Sequence, residues 1–322
     1  MTLSNSASTS TLDSKMYKVP NSLVQSRSLL WDALDAICPL RLAGSWDNVG
    51  PLIDPPSSSS QGPSLDAPSL NFDRTGERIF FTIDLTPTVF EEALEWGASL
   101  IYAYHPPLFS GVKSWRQHDP MNCMMMRAIQ NQIAIYSPHS ALDAVKGGLC
   151  DWLVRPFTCL KSTLSTDSLI HIESRPIEAD PLSVEEGAGR ILVLSDGVPF
   201  SQILDTLQNH LHLPYFRIAA SSSIQQEDRL IKKIALCPGA GGSLFRKLDE
   251  IDLFFTGEMS HHDILDRVRK DQAVILTEHT RNERGFLKEY APFLQDQLKK
   301  HSFDVEVYVS QIDDDPLSVW CG

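Results

Sequence analysis

The stretch Ala273-Val274-Ile275-Leu276-Thr277-Glu278-His279-Thr280-Arg281-Asn282-Glu283 decides the fold. Its four leading apolar residues read as a buried strand. A histidine and a carboxylate four residues apart follow, so both can be delivered from a strand end into one cavity. The pattern occurs twice. Ile133-Ala134-Ile135-Tyr136 is followed by His139-Ser140-Ala141-Leu142-Asp143, again a strand and then H-[ST]-x-x-[DE]. Two such ends facing each other would offer two imidazoles and two carboxylates, a plausible metal cradle.

The same spacing has a purely structural reading. In a capping box the hydroxyl takes one orphan N–H at a helix start and the acid reaches back for another. Ser140 with Asp143 and Thr280 with Glu283 both fit it. A capping box does not account for the preceding histidine, nor for its appearance after two similar strands.

The two halves of the chain match. Strands at 80–85, 100–105 and 133–139, separated by helical stretches, parallel those at 231–237, 253–258 and 273–279. The expectation is an α/β protein of two similar lobes, an internal duplication in which each lobe has a mixed sheet flanked by helices. A metal cleft would lie between them, where ligand sites are favoured. Residues 22–160 form the expected first lobe, 161–186 a polar linker and 187–322 the second lobe. Residues 1–21, rich in Ser and Thr at their start, are expected to be a disordered tail, and the Ser/Pro/Gly-rich stretch 55–76 a flexible insertion.

Within the first lobe a strand, a helix from 88 to 97 and a second strand follow so closely that parallel pairing is implied. His105 then stands at a strand's carboxyl end, where open α/β sheets bind ligands. Before Pro106-Pro107 it can equally be a turn residue. Trp46-Asp47-Asn48-Val49-Gly50 reads either as a pocket rim or as a packed Trp with an Asx-turn. The loop Pro238-Gly239-Ala240-Gly241-Gly242-Ser243 can cradle an anion or simply turn tightly, and it lacks the Gly-Lys-Ser/Thr of a Walker loop. Glu258 followed by the pair His261-His262 at a helix start reads as lining a cavity or binding metal. Met124-Met125-Met126 is core filler. A last strand at 305–310 leads to an acidic tail from Asp313.

The net charge of −13 argues against a general nucleic-acid or anionic-membrane binder, because both need a basic surface. The six cysteines contain no C-x-x-C pair, so they read as reduced thiols and not as a structural zinc site. No stretch reaches the ~18 apolar residues of a membrane span. The start lacks early Arg and carries Asp13, which fits a mitochondrial leader poorly. The expected compartment is the cytoplasm, with nucleus or mitochondrion as alternatives.

Taken as a set, Trp46 to Gly50, Ile83 to Leu85, His105 to Phe109, Tyr136 to Asp143, Gly239 to Ser243, Thr256 to Asp263 and His279 to Phe286 resemble the Nif-three-like family (NGG-interacting factor three-like). That family includes proteins named GTP cyclohydrolase I type 2. The resemblance implies two similar α/β lobes, a two-metal cluster in the cleft and ring-shaped homo-oligomers, typically hexamers. Carried over by position, the ligands are His105, Asp143, His279 and Glu283, with Glu283 bridging and His139 beside them. The family commonly has two adjacent histidines where this chain has Tyr104-His105. Replacement of the first by a phenol implies that one metal is weak or absent.

The expected function is therefore that of a metal-dependent hydrolase-like protein acting on an unidentified small molecule. One or two divalent ions, zinc, manganese or iron, would bind, with His139 or His262 moving protons. The alternatives are an oligomeric scaffold or transcription-regulator partner with a vestigial metal site, and a GTP ring-opening enzyme.

Overall fold

The structure, a computed structural model, describes residues 21–55, 75–161 and 169–320. The tail and insertion expected at 1–21 and 55–76 fall almost wholly outside them. The first half runs α1 (Asn21–Ile37), β1 (Gly50–Ile53), β2 (Thr75–Thr82), α2 (Pro87–Trp96), β3 (Leu100–Ala103), α3 (Pro120–Gln130), β4 (Ala134–Ser137), α4 (His139–Ala144) and α5 (Leu149–Val154). Next come β5 (Ile172–Arg175), β6 (Glu178–Asp180), β7 (Ser183–Ala188), β8 (Arg190–Pro199), α6 (Phe200–Leu211), β9 (Arg217–Ala219) and α7 (Ser222–Gln226). The chain continues with β10 (Leu230–Cys237), α8 (Gly242–Phe245), β11 (Leu253–Thr256), α9 (His261–Arg269), β12 (Ala273–Leu276), α10 (Arg284–Lys300) and β13 (Asp304–Val309).

The strands form two mixed sheets, in the orders β1-β4-β3-β2-β13 and β5-β8-β10-β11-β12-β9, and a separate β6-β7 hairpin. The duplication is visible in both. β2, β3 and β4 are parallel neighbours with β1 antiparallel at the edge; β10, β11 and β12 are parallel neighbours with β9 antiparallel at the edge. Parallel neighbours need crossovers, and helices supply them. Thr86 caps α2 ahead of Pro87, and Gly97 ends it in the left-handed conformation at φ +79°. Asp119 and Ser260 cap α3 and α9 through their side chains.

Two-residue alternation sorts the side chains into three layers. Ile79 and Phe81 of β2 join a central core that also takes Ile234 and Leu236 of β10, together with Leu30 and Leu34 of α1 and Tyr290 and Leu294 of α10. Phe80 faces the other way, under α2 and α3, and Ala235 faces Phe254 and Phe245 on the far side of the second sheet. Both sheets therefore share one core.

Two features differ from the expected division. The polar stretch 161–186 is not only a connection: it supplies the edge strand β5 and most of the β6–β7 hairpin. These strands read as polar because β5 to β7 are mostly exposed. The last strand, β13, pairs in parallel with β2, so the chain's end completes the first sheet and not the second.

Candidate metal centre

The carboxyl ends of the parallel strands open on one cavity of about 1070 Å³. Three histidines reach it, and each has Nδ1 against a carboxylate. His105 meets Asp84 at 2.9 Å, His139 meets Asp47 at 2.7 Å and His279 meets Glu258 at 2.8 Å. A carboxylate accepts only, so the neutral ring carries its hydrogen on Nδ1 and its lone pair on Nε2. This is how metal-binding imidazoles are oriented.

His105 Nε2 lies 3.6 Å from Glu283 Oε2. Both atoms are buried and neither has a hydrogen-bond partner. With His279 they form a group whose donor atoms all lie within 4.8 Å of one another. Burial pushes His105 down, against the bond and charge of Asp84, which favours the lone pair. Burial also pushes the Glu283 carboxyl well above its usual range, and the nearby Asp143 and Asp84 add to it. Facing acceptors of this kind need a shared proton or cation, and the nitrogen and oxygen donors suit a divalent ion. Gly239 leaves the room: a Cβ there would stand 2.8 Å from Glu283 Oε1 and 3.0 Å from His279 Nε2, on a backbone at φ +54°.

The two capping pairs do something else. The Ser140 hydroxyl donates to Asp47 and accepts from the Gly44 N–H. Thr280 donates to Asp315 at 2.7 Å and accepts from Arg284 Nε. The backbone is strained at His139 itself (φ +34°) and at Glu278 (φ +67°), next to His279. Residues with side chains rarely hold such angles unless the surroundings impose them, and functional sites are where they collect.

Of the sequence-predicted residues, His105, His279 and Glu283 converge. Asp143 lines the same cavity but stands outside that group. It accepts a 2.6 Å hydrogen bond from the buried Tyr104 phenol. Burial lifts its carboxyl to about 6 despite that bond. His139 lines the cavity, its ring 5.3 Å from that of His105. His262 is exposed on α9, edge-on to His261, and is not among the lining residues.

The 238–243 loop has a different task from an anion cradle. The Gly241 N–H and the Gly239 carbonyl are both taken by the Thr256 hydroxyl, which sets Gly239 against His279. Other residues carry the site without having been given a role from sequence. Asp84 orients His105, and Arg284 donates to Asp84 at 2.7 Å while pairing with Asp313. Burial works against the Asp84 carboxylate, but His105 and Arg284 outweigh it and hold its pKa below the usual range. The acidic stretch after β13 is no free tail: Asp313 accepts from the Ile83 N–H at 2.7 Å and from Thr82 at 2.8 Å. The sequence signal at Asp84 is its place at the end of an apolar strand run.

Comparison with known proteins shows the family and the fold. A model of Duf34/NIF3 (NGG1p interacting factor 3) matches residues 26–316. NGG1-interacting factor 3 of Saccharomyces cerevisiae is 35% identical over 279 residues, covering 85% of this chain and 90% of that protein. NIF3-like protein 1 of Mus musculus is 30% identical over 365 residues, covering 90% and 92%. Among solved structures, a Bacillus cereus protein related to NIF3 superposes with a TM-score of 0.68 at 17% identity, over 94% of this chain and 100% of that one, and so shares the fold.

Proposed function

The chain belongs to the Duf34/NIF3 family, and on that premise we propose that its cavity binds a divalent cation and serves hydrolase-type chemistry on a small molecule. One observation carries the reading: His105 Nε2 and Glu283 Oε2 face each other, buried and without partners, with a His279 donor atom beside them. Asp143 is engaged by Tyr104, so the donor set supports one ion per chain more directly than two. The absence of a thiolate from the group suits zinc, manganese or iron.

When bound, such an ion supplies Lewis-acid polarisation and positive charge. The chain's own residues do the rest. Asp84 and Glu258 fix the imidazole tautomers. Asp47 turns the His139 lone pair outward, so Nε2 can accept a proton from a reacting group in the cavity and return it. Burial works against the Asp47 carboxylate, but the bonds from His139 and Ser140 outweigh it and keep it ionised. Such a carboxylate stabilises the imidazolium that His139 becomes.

The test is elemental analysis of protein purified without an affinity tag. The wild type should carry about one ion per chain, as the one three-donor group among the described residues implies. The double variant His279→Ala/Glu283→Ala should carry none while keeping its native mass and circular dichroism. Equal metal in both would refute the reading.

A second reading, a partner-binding scaffold, draws on the name of the yeast relative, an interacting factor. Leu182 and Val184, 79% and 84% exposed on the β6–β7 hairpin, offer an apolar contact surface for it or for a ring-shaped homohexamer. Light scattering reads the assembly, and pull-down with the metal-site variant separates scaffold from site-linked partners. Ring opening of GTP is disfavoured by the cavity's charge. Among the described residues, Asp84, Asp143, Glu178, Asp180 and Glu283 line it against Arg41 alone, and Arg41 is itself paired with Asp180 and Glu186.

A further inference from the structure

Trp46 and Phe109 line the mouth of the cavity with their rings 6.2 Å apart, and they are 64% and 52% exposed. Exposed aromatics of this size are usually mobile or cover a partner. Here the loops that carry them are tied together. The Trp46 indole lies against Gly44, where a Cβ would come within 2.6 Å of it. The neighbouring Asp47 is tied to His139 and Ser140, and the Asn48 amide donates to the Leu108 carbonyl, which holds the Phe109 loop beside the Trp46 loop. Asp47 is thus shared, since it orients His139 and anchors the Trp46 loop.

From the mouth the rings step inward. Trp46 meets His139 edge-on at 5.9 Å, His139 meets His105 at 5.3 Å and His105 meets His279 at 5.3 Å. A flat ring resting on the exposed indole face would therefore present a substituent past His139 to the buried His105 and Glu283 atoms. At 6.2 Å and a 45° tilt, Trp46 and Phe109 leave no slot between them, so the ring stacks on a platform and is not sandwiched. The five carboxylates that line the cavity outnumber the charges of Arg41 and one divalent cation together, so the lining repels a phosphate and favours a neutral or cationic ring.

We propose that the Trp46–Phe109 platform selects the substrate of this site: a planar heteroaromatic compound without phosphate, of the size of a nucleobase or nucleoside, with its reactive substituent directed at His139 and His105. The proposal builds on the site reading above, but its test reads the platform separately. Adenosine, guanosine, their 5′-monophosphates and ribose are titrated into the purified protein by calorimetry, with metal content and assembly mass measured on each variant.

At least one nucleoside should bind, its monophosphate more weakly and ribose not at all. Trp46→Ala should weaken nucleoside binding about tenfold or more, as expected for loss of one stacking face. Trp46→Phe should recover most of it, and both variants should keep wild-type metal content and mass. No nucleoside binding, equal binding by Trp46→Ala, or a change confined to assembly mass would each overturn the proposal. A wild type without metal that still binds a nucleoside on Trp46 would sink the metal reading and leave the platform standing.

Discussion

At the scale of single residues the site is governed by what is missing as much as by what is present. Gly239 places no Cβ between Glu283 and His279, and its φ of +54° is one that side chains rarely adopt. Gly239→Ala should cost about 1–2 kcal/mol through the left-handed backbone alone. Its added methyl at 2.8 Å from Glu283 Oε1 should also displace a ligand. The expected result is folded protein with a modestly lower melting temperature and little metal. Normal metal content would show that the loop gives way and that the close fit is incidental. His279 and Glu283 stand out in the sequence as one of two H-[ST]-x-x-[DE] repeats after a strand, and His105 as a residue at a strand end, while their grouping as ligands is what the family resemblance implies. Their orienting partners do not stand out, since Asp84, Asp47 and Glu258 come from other strands and loops, and only the folded sheet brings each to an Nδ1. The engagement of Asp143 by Tyr104 was hidden for the same reason.

At the scale of elements, the strands were legible and their neighbours less so. An apolar run marks β2, β3, β4, β11 and β12, and short crossovers fix their parallel pairing. Nothing local says that β13 lies against β2, a pairing between chain segments more than 200 residues apart, such as Val307 with Ile79. That pairing matters, because it carries Asp313 to the end of β2 and so braces Asp84. The buried link between β2, β3 and α1 can be tested through Glu77, which accepts from the Ser99 hydroxyl and feels the charge of Arg27. Burial raises its pKa, and those two partners only partly offset the rise. The folded value thus lies above the ordinary ~4.3 of the unfolded chain. An acid raised in this way contributes its full stability below the unfolded value and loses it as pH climbs through the folded one. Glu77→Gln stays neutral throughout and can still accept from Ser99. Its melting temperature relative to wild type should therefore improve between pH 4 and pH 7. An offset independent of pH would mean that Glu77 is as readily ionised in the fold as out of it.

At the scale of the molecule, the duplication predicts two lobes, but the central core contains residues from both sheets, with Phe81 and Tyr102 of one and Ile234 and Phe255 of the other in the same cluster. The α1 and α10 side chains in that cluster have no second face to cover if the sheets part. Separation would expose a large apolar surface on each, so the sheets should unfold together. The candidate centre spans the same division: His105 follows β3 of the first sheet, while His279 and Glu283 follow β12 of the second. A cation bound there stabilises the whole fold by linkage, about 2.7 kcal/mol at a free concentration a hundred times its dissociation constant. Thermal unfolding followed by far-UV and near-UV circular dichroism should show one coincident transition. Added zinc or manganese should move it upward, a chelator should move it down, and His279→Ala/Glu283→Ala should abolish the metal response. Two transitions, with metal shifting only one, would mean that the sheets are independent and that the ligands do not join them.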